Sequence, residues 1–135
     1  MAYVNMLKMQ IEIWQGRANH HVDVANSTWD EIWEAINSLD GHKRTLLSLV
    51  EGVNAYMLIG GDPDKGFIVN TTSDNCEFYS LVISGKPTEE VLITIGGQEG
   101  NYKSKHCVPL PFALRAARTY FETREQEESL CWERV

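Results

Sequence analysis

The central part of the chain, residues 45 to 107, breaks into short β-rich runs separated by turn residues, and this rhythm limits the fold more than any other feature. Apolar, β-branched and aromatic residues are frequent in the runs, and glycine, proline, aspartate and asparagine in the breaks. Breaks this short favour antiparallel neighbours, because parallel strands need long crossovers. The runs that we predict as strands are 45–51, 55–59, 67–72, 77–83, 91–95 and 102–108.

An earlier strand is predicted near the start of the chain. Apolar and polar residues alternate from Leu7 to Ile13, which is typical of a half-buried strand, and Gly16 ends the pattern. Trp14 falls on the polar side of this alternation. It is therefore either covered by a helix or exposed as an interface anchor.

The first helix is predicted over residues 28–39. Thr28 and Glu31 have the spacing of a capping box, in which a hydroxyl and a carboxylate satisfy the first free backbone N–H groups. Apolar residues follow at helical spacing, and Asp40-Gly41 ends the pattern. Trp29 and Trp33 lie one turn apart within it, and we expect both to be structural residues of the core.

A second helix follows the segment Val108-Pro109-Leu110-Pro111. Its apolar face is predicted to consist of Leu110, Ala113, Leu114, Ala117 and Phe121, and the acidic run after it should end the helix near Thr123. Together the elements predict an α+β fold, with a mostly antiparallel sheet and two main helices packed on one face. At 135 residues the chain is expected to form a single domain, 1–135.

The charge of the chain limits its direct partners. Twelve Lys and Arg stand against 19 Asp and Glu, a formal net charge of −7. This argues against nucleic acid or an anionic membrane as a direct partner. An acidic surface suits a basic protein partner, although solubility alone also explains the charge.

Segments that target or cross a membrane are not expected. No run approaches the roughly 18 apolar residues of a membrane span, and the first residues lack the pattern of a signal peptide, so we expect a cytoplasmic protein. Cys76, Cys107 and Cys131 are widely spaced. Burial as small apolar residues fits them better than a disulfide scaffold or a zinc site.

Three short motifs invite a chemical interpretation. His106-Cys107 is the one His–Cys neighbour pair, but on a strand the two side chains point to opposite faces, which disfavours catalysis. His20-His21-Val22-Asp23 is predicted as a solvated loop rather than a metal site. The glycine-rich segment 96–100 lacks the Lys-Ser/Thr of a phosphate loop, so it is either a flexible hairpin connection or a protruding binding loop. We therefore expect no catalytic, metal or cofactor site.

The last part of the chain resembles the Imm1 immunity proteins of bacterial polymorphic toxin systems. The resemblance is carried by the proline-led segment 108–111, the Ala-rich helix that ends on Tyr120-Phe121 and the closing Trp132-Glu133. It is strongest over residues 66–133. Pro111-Phe112 departs from the acidic residues that the family usually shows in this turn, which makes Phe112 a candidate for a partner-specific contact.

The resemblance implies an immunity protein that binds and neutralises a cognate bacterial toxin domain. The toxin would be basic and nucleic-acid-targeting, such as a deaminase, and would be bound one-to-one with its active site blocked. An enzyme that uses His106/Cys107, or a small-molecule-binding α+β domain, remains the alternative. Trp132 is expected to be structural, because it anchors a segment that would otherwise fray.

Loops of a rigid sheet are the places where binding residues are expected. The residues that we predict to contact the toxin share a loop position or an exposed ring, and they are Glu99, Tyr102, Gln98, Asn101, Asp62, Asp64, Trp14 and Phe112.

Overall fold

Seven antiparallel strands form the main sheet of the computed structural model, which describes residues 7–85 and 89–135. Their order in space is β2-β1-β3-β4-β5-β6-β9. A separate two-stranded ribbon, β7-β8, packs on β3 and β4. The strands are β1 (Lys8–Gln15), β2 (Ala18–Val24), β3 (Arg44–Glu51), β4 (Ala55–Asp62), β5 (Gly66–Thr72), β6 (Phe78–Val82), β7 (Glu90–Ile95), β8 (Gln98–Lys103) and β9 (Cys131–Arg134).

The central strands bury alternate residues on one face of this sheet. Leu47 and Leu49 of β3 are fully buried, and their register partners on β4 are Ile59 and Met57. Successive side chains of a strand point to opposite faces, so these four share one side. Apolar burial of this kind contributes about 1.5–3 kcal/mol for each large side chain. The short breaks of the sequence are the connections of this meander.

Two helices cover that face. Helix α1 (Trp29–Asn37) buries Ile32 and Ile36, and α2 (Leu110–Thr123) buries Ala113 and Ala117 in the same cluster. Ala113 and Ala117 are both fully buried. The predicted α+β fold, with an antiparallel sheet and two helices on one face, is confirmed.

The ends of both helices follow their local sequences. The hydroxyl of Thr28 accepts from the backbone N–H of Glu31, whose carboxylate accepts from the N–H of Thr28, so the predicted capping box is present. Helix α2 ends at Thr123 as predicted, and Arg124 follows it in a left-handed conformation. The guanidinium of Arg124 pairs with Glu51 of β3 at 2.7 Å and ties this end of α2 to the sheet.

Several sequence predictions are wrong in detail. The segment 20–23, predicted as a loop, belongs to β2 and pairs with β1. The predicted strand 102–108 ends at Lys103, where a short 3-10 helix, Ser104–His106, begins. The sequence interpretation missed β9 as a strand. At four residues, this strand is too short to show an alternating pattern.

The prediction that Trp33 lies in the core is wrong, because its side chain is 49% exposed. The core-facing stripe of α1 is centred on Ile32 and Ile36, and Trp33 falls on the flank of that stripe. Trp29 lies on the same flank, but it is half-buried and packs against Phe121 of α2.

Loss of the helix cap should have a measurable cost. Thr28→Ala is expected to lower the free energy of unfolding by about 1 kcal/mol, because the N–H of Glu31 loses its acceptor. Thr28→Ser keeps a hydroxyl and should retain most of that stability. Urea denaturation followed by circular dichroism compares the two, and equal stability of the variants would contradict a role for the cap.

Candidate functional site

The β7-β8 hairpin is the candidate site, and a glycine turn holds it against the sheet. Gly96 and Gly97 connect the strands with φ angles of +61° and +75°, which favour glycine. The N–H of Gly97 donates to the Thr45 hydroxyl at 3.0 Å. A Cβ on Gly97 would collide with the ring of Trp14, so the turn lies directly on this tryptophan.

The inward face of the hairpin is apolar. Ile93 is fully buried against Ile68 and Cys107, and Tyr102 packs on the same cluster. Ile95 occupies the space that a side chain at Gly60 of β4 would need, since a Cβ there would lie 2.6 Å from it. The hairpin is therefore docked by packing as well as by its turn.

The outward face of the hairpin is a polar ribbon around one apolar side chain. Leu92 is 44% exposed and pairs with Asn101, and the neighbouring pairs are Thr94 with Glu99 and Glu90 with Lys103. Because side chains alternate along a strand, these six share the face that points away from the sheet. We call them the hairpin face. Protein contact surfaces combine an apolar centre with a polar rim, and the hairpin face has this arrangement on a small scale.

The end of the chain is tied to the sheet through the predicted Trp132-Glu133 pair. Trp132 packs against the core on the helix side, and its indole Nε1–H donates to the carbonyl of Glu127 at 3.1 Å. Glu133 points to the other side and accepts from Lys105 Nζ at 2.9 Å, with His106 Nε2 at 3.5 Å. The hydrogen bond from Lys105 lowers the pKa of the Glu133 carboxyl.

A family model described as immunity protein Imm1 matches residues 20–134. The chain belongs to the Imm1 family. The match extends well beyond residues 66–133, where the sequence resemblance is strongest, and confirms the predicted family. No curated protein sequence matches the chain.

In this Imm1 protein the residues predicted for the 98–102 loop lie on a strand and divide between its two faces. Glu99 and Asn101 lie together on the hairpin face, and Gln98 is exposed beside the turn. Tyr102 points inward and is half-buried. The sequence interpretation did not identify Leu92 as a contact residue, because an apolar residue within the β-rich run 91–95 is typical of a buried strand position.

The two aspartates of the β4–β5 connection have different surroundings. Asp62 is buried, and its Oδ1 accepts from the backbone N–H groups of Asp64 and Lys65 at 2.9 Å each. This carboxylate therefore holds the turn together, and its burial disfavours the predicted contact with a toxin, which stays a prediction. Asp64 is exposed, and its binding role stays a prediction.

Two aromatic residues of the predicted contact set are half-buried. Trp14 lies beneath Gly97 and is covered by the hairpin turn rather than by a helix. Phe112 of α2 packs against the core and borders a small groove with Leu81 and Leu130. Their contact with a partner remains a prediction.

The side chains of His106 and Cys107 have different surroundings. Cys107 is buried against Ile68 and Ile93, and its thiol donates to the carbonyl of Lys103 at 3.4 Å. His106 turns toward Glu133 instead. No group of three or more His, Cys, Asp or Glu side chains in residues 7–85 and 89–135 has the geometry of a metal site. No helix within these described ranges is long and apolar enough to cross a membrane.

A cleft of about 640 Å³ opens beside Trp132, between β5 and β6 and the segment after α2. Aromatic and acidic side chains line it, among them Tyr79, Tyr120, Glu125, Glu127 and Glu128. Glu127 accepts from the Thr119 hydroxyl at 2.7 Å and from the N–H of Ser129 at 2.8 Å. Hydrogen bonding with Ser129 and then with Thr119 lowers the pKa of Glu127 from 4.5 to about 2.

This lowered pKa predicts a pH dependence of stability. The folded state favours ionised Glu127, so its contribution should be complete above pH 4.5 and lost as the pH falls toward about 2. Glu127→Gln should therefore lower the melting temperature at neutral pH, and the difference from the parent should shrink over that acidic range. Glu128→Gln, at an exposed neighbour, is the control. A difference that is constant with pH would contradict the assignment.

Proposed function

We propose that this Imm1 protein binds a cognate bacterial toxin domain through the hairpin face and neutralises it by blocking the active site. The observation that carries the proposal is Leu92, an exposed leucine that lies opposite Asn101, with Glu99 and Lys103 as its diagonal neighbours, on a docked ribbon. Buried contact with a partner would remove this leucine from water, and the polar side chains around it would supply orientation. The action is binding and not catalysis.

Rigidity of the hairpin supports this role. The ribbon is fixed by the Gly97–Thr45 hydrogen bond, by Trp14 beneath the turn and by the buried Ile93. A surface that already has its bound shape loses less conformational entropy on association. The hairpin is thus better suited to a tight complex than a mobile loop would be.

The charge of the chain supports a basic toxin that acts on nucleic acid, and the family resemblance favours a deaminase. Such a toxin needs cationic side chains to hold phosphates. Glu99 and Glu90 lie on the hairpin face and can occupy positions where phosphates would bind. The net charge of −7 adds long-range attraction. We propose a one-to-one complex on this basis, formed in the cytoplasm.

Substitutions on the hairpin face should weaken binding without unfolding the protein. Leu92→Asp and Glu99→Lys are expected to raise the Kd roughly tenfold or more, mainly through faster dissociation. Both side chains are exposed, so the melting temperature should stay close to that of the parent. Calorimetric titration of the toxin domain encoded beside this chain, in a catalytically inactive form, measures the affinity.

The matched control is Asp23→Lys, a charge reversal at an exposed carboxylate of β2 that lies outside the predicted contact set. It should bind and protect as the parent does. Asp62→Lys is unsuitable, because it removes the acceptor of two backbone N–H groups. If the Leu92 and Glu99 variants neutralise the toxin as well as the parent does, the interface lies elsewhere on the molecule.

Salt should act mainly on the association rate. Long-range attraction between an acidic inhibitor and a basic toxin is screened as ionic strength rises, whereas short-range contacts are affected less. We expect the association rate to fall steeply between low and physiological salt, with a smaller change in dissociation. Stopped-flow fluorescence measures both rates, and a flat association rate would refute the electrostatic part of the proposal.

A further inference from the structure

Among residues 7–85 and 89–135, Trp33 is the aromatic side chain with the largest exposed fraction. It is 49% exposed, although it stands in the middle of a well-formed helix whose neighbouring turns are packed. Exposed tryptophans are uncommon on protein surfaces and frequent at the centre of interfaces. Trp33 does not belong to the hydrophobic cluster between the sheet and the two helices.

Trp29 lies one turn earlier on the same flank of α1, and its ring is in contact with an arginine. The guanidinium carbon of Arg118 lies 5.1 Å above the centre of the Trp29 ring, and Arg118 also pairs with Glu122 at 3.5 Å. An arginine over an aromatic face is attracted by the ring electrons, and a nearby carboxylate strengthens the arrangement. In residues 7–85 and 89–135, no ring or guanidinium stacks on Trp33 in this way.

The charges around Trp33 match the same kind of ligand. Asp30, Glu34 and Asn37 are exposed on the solvent side of α1 beside it, and with Trp33 they form what we call the Trp33 face. Residues 28–39 contain three carboxylates and neither lysine nor arginine. A ring flanked by carboxylates is complementary to a cationic side chain with a flat face.

We propose that the Trp33 face is a second contact surface, which takes an arginine from a basic segment of the toxin. The guanidinium would stack on the indole of Trp33 and pair with Asp30 or Glu34, as Arg118 stacks on Trp29 and pairs with Glu122. This inference rests on the proposed function for the identity of the partner. The affinity of the Trp33 face for arginine does not depend on the proposed function and can be tested without a toxin.

The first experiment uses a hexa-arginine peptide as the probe. The four tryptophans give four indole N–H signals in a nitrogen-15 NMR spectrum, and single Trp→Phe variants assign them. We expect the Trp33 signal to shift more than those of Trp14, Trp29 and Trp132, and more with hexa-arginine than with hexa-lysine. The double variant Asp30→Asn, Glu34→Gln should reduce the shift severalfold.

Equal shifts of all four signals, or none at Trp33, would overturn the proposal. A Trp33 signal that moves on dilution of the protein alone would show that a second copy of the chain is the occupant, which also overturns it. Hexa-glutamate is the control peptide, and it should leave the signal unmoved.

The second experiment measures affinity for the inactive toxin domain. Trp33→Ala should raise the Kd roughly tenfold or more, and Trp33→Phe should restore most of the affinity because it keeps a ring. Val53→Ala is the matched control, since Val53 is 90% exposed in the β3–β4 turn. Parent-like binding by Trp33→Ala would overturn the surface and leave the proposed function intact. A parent protein that does not bind the toxin would instead refute the proposed function, while the peptide result would still decide the surface.

Discussion

Burial of the central strands beneath the two helices is the interaction on which the rest of the structure depends. Leu47, Leu49, Met57 and Ile59 are almost completely removed from water. Because one face of the sheet is fully used in this way, the opposite face is free to carry a second layer. The β7-β8 hairpin fills part of it, and its apolar side faces the sheet. The outward side of the hairpin, the hairpin face, remains exposed to solvent.

Much of this arrangement follows from local patterns in the sequence. The alternation of β3, the capping box of Thr28 and the stop of α2 at Thr123 are each determined by neighbouring residues, and each was predictable. The exposure of Trp33 was not, because helical spacing alone does not fix how wide the buried stripe of a helix is. The ring of Trp33 lies outside the buried stripe, whereas the ring of Trp29 packs against Phe121.

The candidate site was predictable only in part. A glycine-bounded segment near residue 99 suggested a binding loop, and Glu99 and Asn101 of that segment lie on one exposed face of β8, while their binding role stays a prediction. The division of residues 98–102 between two faces depends on which side of the ribbon meets Ile68 and Cys107, and these contacts are distant in sequence. The role of Asp62 was hidden for a similar reason. A carboxylate in a turn can face solvent or bind the backbone, and only the conformation of the turn decides between them.

The order of the strands has a consequence for how quickly the protein can fold. Of the six strand pairings in the main sheet, four join strands that are consecutive in the chain, and the remaining two are β1 with β3 and β6 with β9. Pairing between consecutive strands closes short loops, which lowers the entropic cost of reaching the transition state. Most of this sheet can therefore form by successive addition of hairpins. Such a route shortens the interval during which a newly made chain is present but not yet able to bind.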